Sequence, residues 1–413
     1  MNRPRFGVAT SCRTAALLLV LAFVCSAPHA AAQQIDPEDA PEDPARTEPW
    51  IEWALGLRAV TSVGVAKHER RGTRTAFDFS DSLLYLRPRV PLTVERGVRA
   101  GALFALTFPD AYERPGTLFV GDAHIFLESR WAFFRLGRGR LKSDIVPTPA
   151  LRDDDLIRFE EVQNPFSDGS STADHQYGNV ADLTLWPTPK FYGDLHAENL
   201  SNNVIGSDRL AAFELNSLGL TLGYVQVPAE TTLSVVRRLG IGTNFYHVNL
   251  DERELMFDVL AGSWLNLLVD PVHTVDWRAQ VAYSDGVPGA DPTTPNGSFR
   301  ARSVSGFSSV GYTYRRSLLP TFRTNIAAGY RRYLRQDLDQ LSLLGNAAYA
   351  LGKTVDVGLQ YQYRHADAGL PRIFGEDQRH SVKLFLTGTF ETLVNPLFDD
   401  RASLLNTESG YLP

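Results

Sequence analysis

The chain has 413 residues, 44% of them hydrophobic and 21% charged, with a formal net charge of −6. That balance is too polar for a bundle of membrane helices, and the acidic excess excludes a general nucleic-acid binder, which needs a basic surface. By length alone the chain could hold two or three globular domains or one large one.

The N-terminus accounts for both cysteines. MNRPRFGVATSCR carries Arg3, Arg5 and Arg13; AALLLVLAFVCSA follows as an uncharged apolar run, and PHAAAQQ leads into acidic sequence. A basic start, a short apolar stretch and a small-residue site mark a secretory leader, so residues 1–32 read as a signal peptide cleaved near Ala32. Phe23 and Val24 are poor residues before a lipidated cysteine, which argues against acylation of Cys25. The mature chain then has no cysteine, hence no disulfide, no thiol nucleophile and no thiolate metal site. Residues 33–49 are acidic and proline-rich and read as a periplasmic linker that cannot bury enough apolar area to fold. No later stretch approaches the ~20 apolar residues that a membrane helix needs.

From Trp50 to about Leu393 the sequence alternates. In 117–131, Phe119, Gly121, Ala123, Ile125 and Leu127 share one parity, while Asp122, His124 and Glu128 share the other. In 274–284, Val275, Trp277, Ala279, Val281 and Tyr283 oppose Asp276, Arg278 and Gln280. In 321–335, Phe322, Ile326, Ala328 and Tyr330 oppose Arg323, Asn325 and Arg331. In 353–365, Val355, Val357, Leu359, Tyr361 and Tyr363 oppose Asp356, Gly358, Gln360, Gln362 and Arg364; in 381–391, Val382, Leu384, Leu386 and Phe390 oppose Lys383, Thr387 and Glu391. Similar patterns hold around 51–65, 97–108, 191–198, 255–262 and 339–351. A period of two puts apolar residues on one face of a strand and polar residues on the other. Around 216–218 and near 306 the apolar parity flips, as expected at a turn or a bulge.

Two burial schemes fit alternating strands. In a soluble sandwich the apolar face packs on a second sheet, and strands run to about five or six residues. In a membrane barrel the apolar face meets lipid, the polar face lines a lumen, and strands need ~9–11 residues. The alternating segments here are long, and Trp53, Trp131, Trp186, Tyr312, Tyr314, Tyr361 and Tyr363, with Trp50, sit toward their ends, where interfacial girdles belong. Short turns (ERG after Val94, PTPK after Trp186, GK after Leu351) alternate with longer links at 66–79, 109–116, 142–178, 199–208, 285–297 and 367–378. The reading is an all-β transmembrane antiparallel β-barrel over 50–393 with long extracellular loops and short periplasmic turns. Its strand count is 18, or 16 if the weak region 209–254 holds fewer. Residues 394–413 follow as a C-terminal tail.

At this point the chain resembles the Gram-negative outer-membrane porins. FFRLGRGRLKSDIVPTP (133–149), with its Gly137-Arg138 step, is similar to the fifth-strand entry into the long third loop of such porins. Porins end on an aromatic residue, a place that Phe390 or Phe398 would take here. The resemblance implies an open channel for passive diffusion of small hydrophilic solutes or ions, an outer-membrane location among lipid and lipopolysaccharide and, by analogy, a homotrimer. It also implies a constriction. The longest link holds LRDDDLIRFEEV, with Asp153, Asp154, Asp155, Glu160 and Glu161. Arg278, Arg323, Arg331, Arg364 and Lys383 have lumen parity on later strands. An acidic loop facing a basic wall would set a transverse field that orients polar solutes. The bland alternative for DDDLIRFEEV is a solvated loop or a short helix with Asp near its N-terminus.

Catalytic and cofactor patterns are weak. His124 with Asp122 and Glu128, and His196 with Asp194 and Glu198, fit inward hydrogen-bond networks, and no GxSxG, HExxH or Walker pattern occurs. No catalytic residue, metal site or cofactor is expected. Two alternatives to a general porin stand: a substrate-specific channel or polysaccharide exporter of the alginate-export kind, and a secreted all-β binding protein without a pore.

Overall fold

A computed structural model describes residues 51–68, 72–78, 82–93, 98–107, 119–129, 131–140, 177–199, 217–225, 235–249, 253–270, 272–284, 302–316, 319–334, 337–352, 354–367 and 378–394. The expected signal peptide and linker, and the tail beyond Val394, lie outside the described residues. Seventeen strands follow in chain order: β1 Glu52–His68, β2 Gly72–Asp78, β3 Leu83–Thr93, β4 Val98–Thr107, β5 Phe119–Glu128, β6 Ala132–Arg140, β7 Tyr177–Thr188, β8 Phe191–Asn199, β9 Ser217–Tyr224, β10 Val235–Asn249, β11 Arg253–Val269, β12 His273–Ser284, β13 Ser303–Arg316, β14 Leu319–Tyr333, β15 Leu338–Ala350, β16 Val355–Ala366 and β17 Gln378–Val394. Among the described residues there is no helix.

Every strand pairs antiparallel with its neighbour in sequence except β2 with β3, and β1 pairs with β17 from Trp53↔Val394 to His68↔Arg379, so the sheet closes. On its other side β1 carries two partners end to end. Residues Ser62 to His68 face β2, and Glu52 to Arg58 face β3. β2 and β3 are thus two pieces of one stave, and the barrel has sixteen staves, the smaller of the two counts expected. At the break Ser82 stands in for the missing ladder: its Oγ accepts from Val60 N at 2.9 Å and donates to Val60 O at 3.2 Å. Pro88 and Pro91, which have no N–H to give, fall on this same stave, where the pairing with β4 is interrupted.

Two expectations fail locally. The link expected at 66–79 is mostly strand, since β1 runs to His68 and β2 begins at Gly72. GTRTAFD carries polar residues at both parities, so the pairing with β1, not the pattern of polarity, reveals it as a strand. Near 306 there is no bulge: β13 keeps unbroken register with β12 from Ser303 to Tyr314, and Phe307 simply faces inward.

Burial follows parity. On β13 Ser303, Ser305, Phe307, Ser309 and Gly311 are buried, while Val304, Ser308 and Val310 are exposed. On β16 Gly358, Gln360 and Gln362 are buried and Leu359 and Tyr361 exposed. The apolar face therefore points outward all round, which rules out the sandwich, whose apolar face would be the buried one. Outward aromatics gather at two levels. Phe191–Tyr224, His273–Tyr314 and Tyr312–Phe322 make ring contacts at the short-turn end; Phe245–Phe257–Tyr283 and Tyr363–His380 make them at the other. On β12 the two levels are roughly ten residues apart, which at ~3.3 Å per residue and a ~40° tilt is about 25 Å, the height of a barrel's apolar band.

The connections at 108–118, 141–176, 200–216, 285–301 and 368–377 all leave the same end of the barrel. Both Glu52 and Val394 lie at the other, short-turn end. The longest, 141–176, follows the fifth stave.

Candidate functional site: the inner wall

The inward faces of the sixteen staves form the site, and they divide into two unlike halves. From β1 to β8 the buried polar side chains are mostly ionic. Arg89 is 1% exposed and donates through Nε to Glu52 at 2.8 Å, with a further ion pair to Glu128 at 3.4 Å; Arg99 reaches Glu128 at 3.5 Å. One strand further, Arg135 binds Asp182 across β6–β7, and Thr184 Oγ1 donates to Asp194 at 2.6 Å across β7–β8. His196 Nδ1 lies 3.1 Å from Asp194. Register makes these contacts, since Arg135 faces Asp182, Asp182 faces His196 and Thr184 faces Asp194.

Beside them His124 sits 3.6 Å from Asp122 and 3.3 Å from the Arg138 carbonyl. The space for it comes from Gly137, whose φ of +140° is open to glycine and whose added Cβ would lie 2.5 Å from Ala123 O. Both inward His groups are thus members of hydrogen-bond networks. Potential ligand atoms of Asp182, Asp194 and His196 lie within 4.8 Å of one another, a set able to hold a cation. Arg135 and Thr184 already engage the two carboxylates, so the chemistry on view is an ion-pair lattice.

From β11 to β17 the wall is mostly uncharged. Gln280, Gln340, Gln360, Gln362, Asn325 and Asn346 face inward with a series of serines. An apolar strip, Leu260, Trp264, Ala282, Phe307, Ala327 and Leu344, runs through them. All five basic residues expected to face the lumen do so on this half. Arg278 pairs with Asp276 at 2.9 Å and lies 4.3 Å over the Trp264 ring. Arg323 pairs with Asp356 at 3.0 Å, and Arg331 donates to Tyr333 Oη at 3.3 Å. Arg364 donates to the Gln340 amide oxygen at 2.6 and 3.1 Å when that amide is turned toward it. Lys383 is buried on β17 opposite Gln360. Asp153, Asp154, Asp155, Glu160 and Glu161 lie outside the described residues.

The Glu52–Arg89–Glu128, Arg135–Asp182 and Thr184–Asp194 contacts were not singled out from the sequence. Their inward parity was legible, but the register that joins them was not. Outside the membrane band, Asp270 in the β11–β12 turn accepts from Val272 N at 2.7 Å and from His273 N. The His273 bond first, then that from Val272, holds its carboxyl below the usual Asp range.

No family model matches the sequence, and no curated protein matches it. Solved structures do match in shape. The chain is similar to an anion-selective porin from Comamonas acidovorans at 12% identity and TM-score 0.56, covering 82% of this chain and 100% of that one. It is similar to OmpF of Salmonella typhi in complex with daunomycin at 13% identity and TM-score 0.56, covering 81% and 97%. It is also similar to the outer membrane channel DcaP of Acinetobacter baumannii at 14% identity and TM-score 0.53, covering 82% and 97%. The chain is a closed antiparallel β-barrel with a porin-like fold.

Proposed function

We propose that the barrel is a non-enzymatic channel through which small hydrophilic solutes or ions diffuse passively. One observation carries the reading: the closed sheet turns a predominantly polar face inward while its apolar face points outward, as toward lipid. Such an inner wall can hydrogen-bond a hydrated solute. The likeness in fold to proteins described as a porin and an outer membrane channel supports the same reading. In it, Asp153, Asp154, Asp155, Glu160 and Glu161 form the acidic side of a constriction, and Arg278, Arg323, Arg331, Arg364 and Lys383 its basic side. One similar structure, OmpT of Vibrio cholerae, is described in a trimer form; a homotrimer embedded in lipid and lipopolysaccharide is the assembly proposed here.

The test is single-channel conductance of the mature protein in a planar bilayer, with gel mobility compared before and after boiling. Discrete, long-lived steps from a heat-modifiable band are expected, and replacing Asp153, Asp154 and Asp155 by Asn should shift the cation/anion permeability ratio. A heat-modifiable band without conductance would sink the passive channel. The apolar strip on β11–β15 favours a second reading, a channel selective for solutes with an apolar face such as sugars. Current block by an oligosaccharide, weakened by Phe307→Ala, would select it over the general porin.

A further inference from the structure

The outer wall between the β7–β8 turn and β12 is not smooth. One cross-strand row runs Leu185–Gly193–Leu222–Ile241–Ala261–Val281, each residue paired to the next by register and all facing outward. Large side chains alternate in it with Gly193 and Ala261. In the next row toward the periplasm, Ser263 and Ala279 are small as well. The result is an apolar groove of about 820 Å³. Four strand spacings of ~4.8 Å separate β8 from β12, so the groove crosses about 19 Å of wall. Leu222 is 51% exposed and Ile241 60%, so the described chain leaves the groove open.

Its mouth is at the periplasmic interface. Pro187 and Phe191 line that end, and Phe191 contacts Tyr224 at 5.1 Å in the lower aromatic level. Between them, in the two-residue turn, stands the exposed Lys190. A lysine at headgroup depth beside an apolar channel that descends into hydrocarbon matches one kind of molecule, an anionic phosphate joined to a long acyl chain.

We propose that this groove is a binding site for a phospholipid of the periplasmic leaflet, with an acyl chain lying over Gly193 and Ala261 and the phosphate on Lys190. A second copy of the barrel seated here would need a carboxylate for Lys190 and bulky knobs for the groove. A phospholipid supplies charge and filling in one molecule. The proposal rests on the barrel's place in the membrane and stands whether or not the barrel conducts.

The test is native mass spectrometry of the mature protein in mild detergent, titrated with dioleoyl phosphatidylglycerol. Two outward-facing variants probe the two ends: Ala261→Phe, which fills the groove, and Lys190→Glu, which reverses the charge. Leu359→Phe, on the outer face of β16, is the control, and heat-modifiable mobility confirms that each variant is folded. The wild type and the control should retain a lipid through detergent exchange. Ala261→Phe should lose most of it, and Lys190→Glu should bind more weakly by at least about fivefold, the worth of losing one cation beside an anionic lipid before the added repulsion. Equal retention by all four proteins would overturn the site. So would an Ala261→Phe barrel that falls from oligomer to monomer with its lipid unchanged, which would assign the groove to a second copy.

Discussion

Ile326 offers the sharpest test of where the bilayer sits. Its side chain is 73% exposed, the highest value among the large hydrophobic side chains described, and it faces outward on β14. Phe322 and Tyr330 lie on the same face, one toward each aromatic level, about four residues away on either side. At ~3.3 Å per residue and a ~40° tilt, each is about 10 Å from Ile326 along the membrane normal, which puts Ile326 at the midplane. Arginine on the lipid face costs ~2–4 kcal/mol at that depth and ~0–1 kcal/mol near an interface. Ile326→Arg should therefore lower the folding equilibrium constant roughly 30- to 700-fold. Leu351→Arg, at the β15–β16 turn and 62% exposed, serves as the comparison and should cost little. The assay is urea unfolding of the barrel refolded into phospholipid vesicles, followed by tryptophan fluorescence and boiled-versus-unboiled gel mobility. If Ile326→Arg proves no more costly than Leu351→Arg, the apolar band does not lie in hydrocarbon, and the depth argument from the girdles is wrong.

Other substitutions separate further effects. An added Cβ at Gly101 would lie 2.3 Å from the Phe126 ring and 2.7 Å from Pro88 O; the ring could turn but the carbonyl could not, so Gly101→Ala should destabilise by ~1–3 kcal/mol in the same urea assay. Gly345→Ala, which meets nothing within 4 Å, should be near neutral. Arg89→Met removes the ion pair that Arg89 makes with the fully buried Glu52 and should cost about 3–5 kcal/mol, while adding Glu52→Gln should recover much of the loss; a double variant as unstable as the single one would refute the charge argument. Because the Asp270 carboxyl titrates lower in the folded chain than in the unfolded one, its contribution is present above the unfolded value of about 3.9 and is lost as pH falls through the folded value. The stability gap between wild type and Asp270→Asn should accordingly be flat from neutral pH to about pH 5 and shrink below about pH 4, read from urea midpoints across that range.

The face of each strand was legible because a period of two carries only one bit, and the membrane makes that bit expensive to get wrong. Ile326 and Asn325, or Leu359 and Gln360, could be placed outside and inside with no knowledge of what lay beside them. Register was not legible. Glu52 and Arg89 are 37 residues apart and Arg135 and Asp182 are 47 apart, and nothing in either segment names its partner. The β2–β3 stave was hidden for a related reason. Gly72–Asp78 carries polar residues at both parities, so it looks like a loop although it pairs residue by residue with β1. Phe307 misled in the opposite way, because an inward aromatic in a polar row reads as a slip of register.

This division of information also explains how the fold can match solved barrels at 10–14% identity. Lipid asks only that outward residues be apolar, and the hydrogen-bonded ladder that closes the sheet is made by backbone that any sequence supplies. What distinguishes one such barrel from another must then lie in the inner wall, where side chains meet one another and the solute. Here that wall sets an ionic lattice of Arg89, Arg135, Asp182 and Asp194 on β3–β8 against amides, serines and an apolar strip on β11–β17. The wall therefore carries charges paired across strands on one side and, on the other, five basic side chains set among neutral donors and acceptors. Its selectivity has to be argued from that asymmetry, not from the likeness in fold.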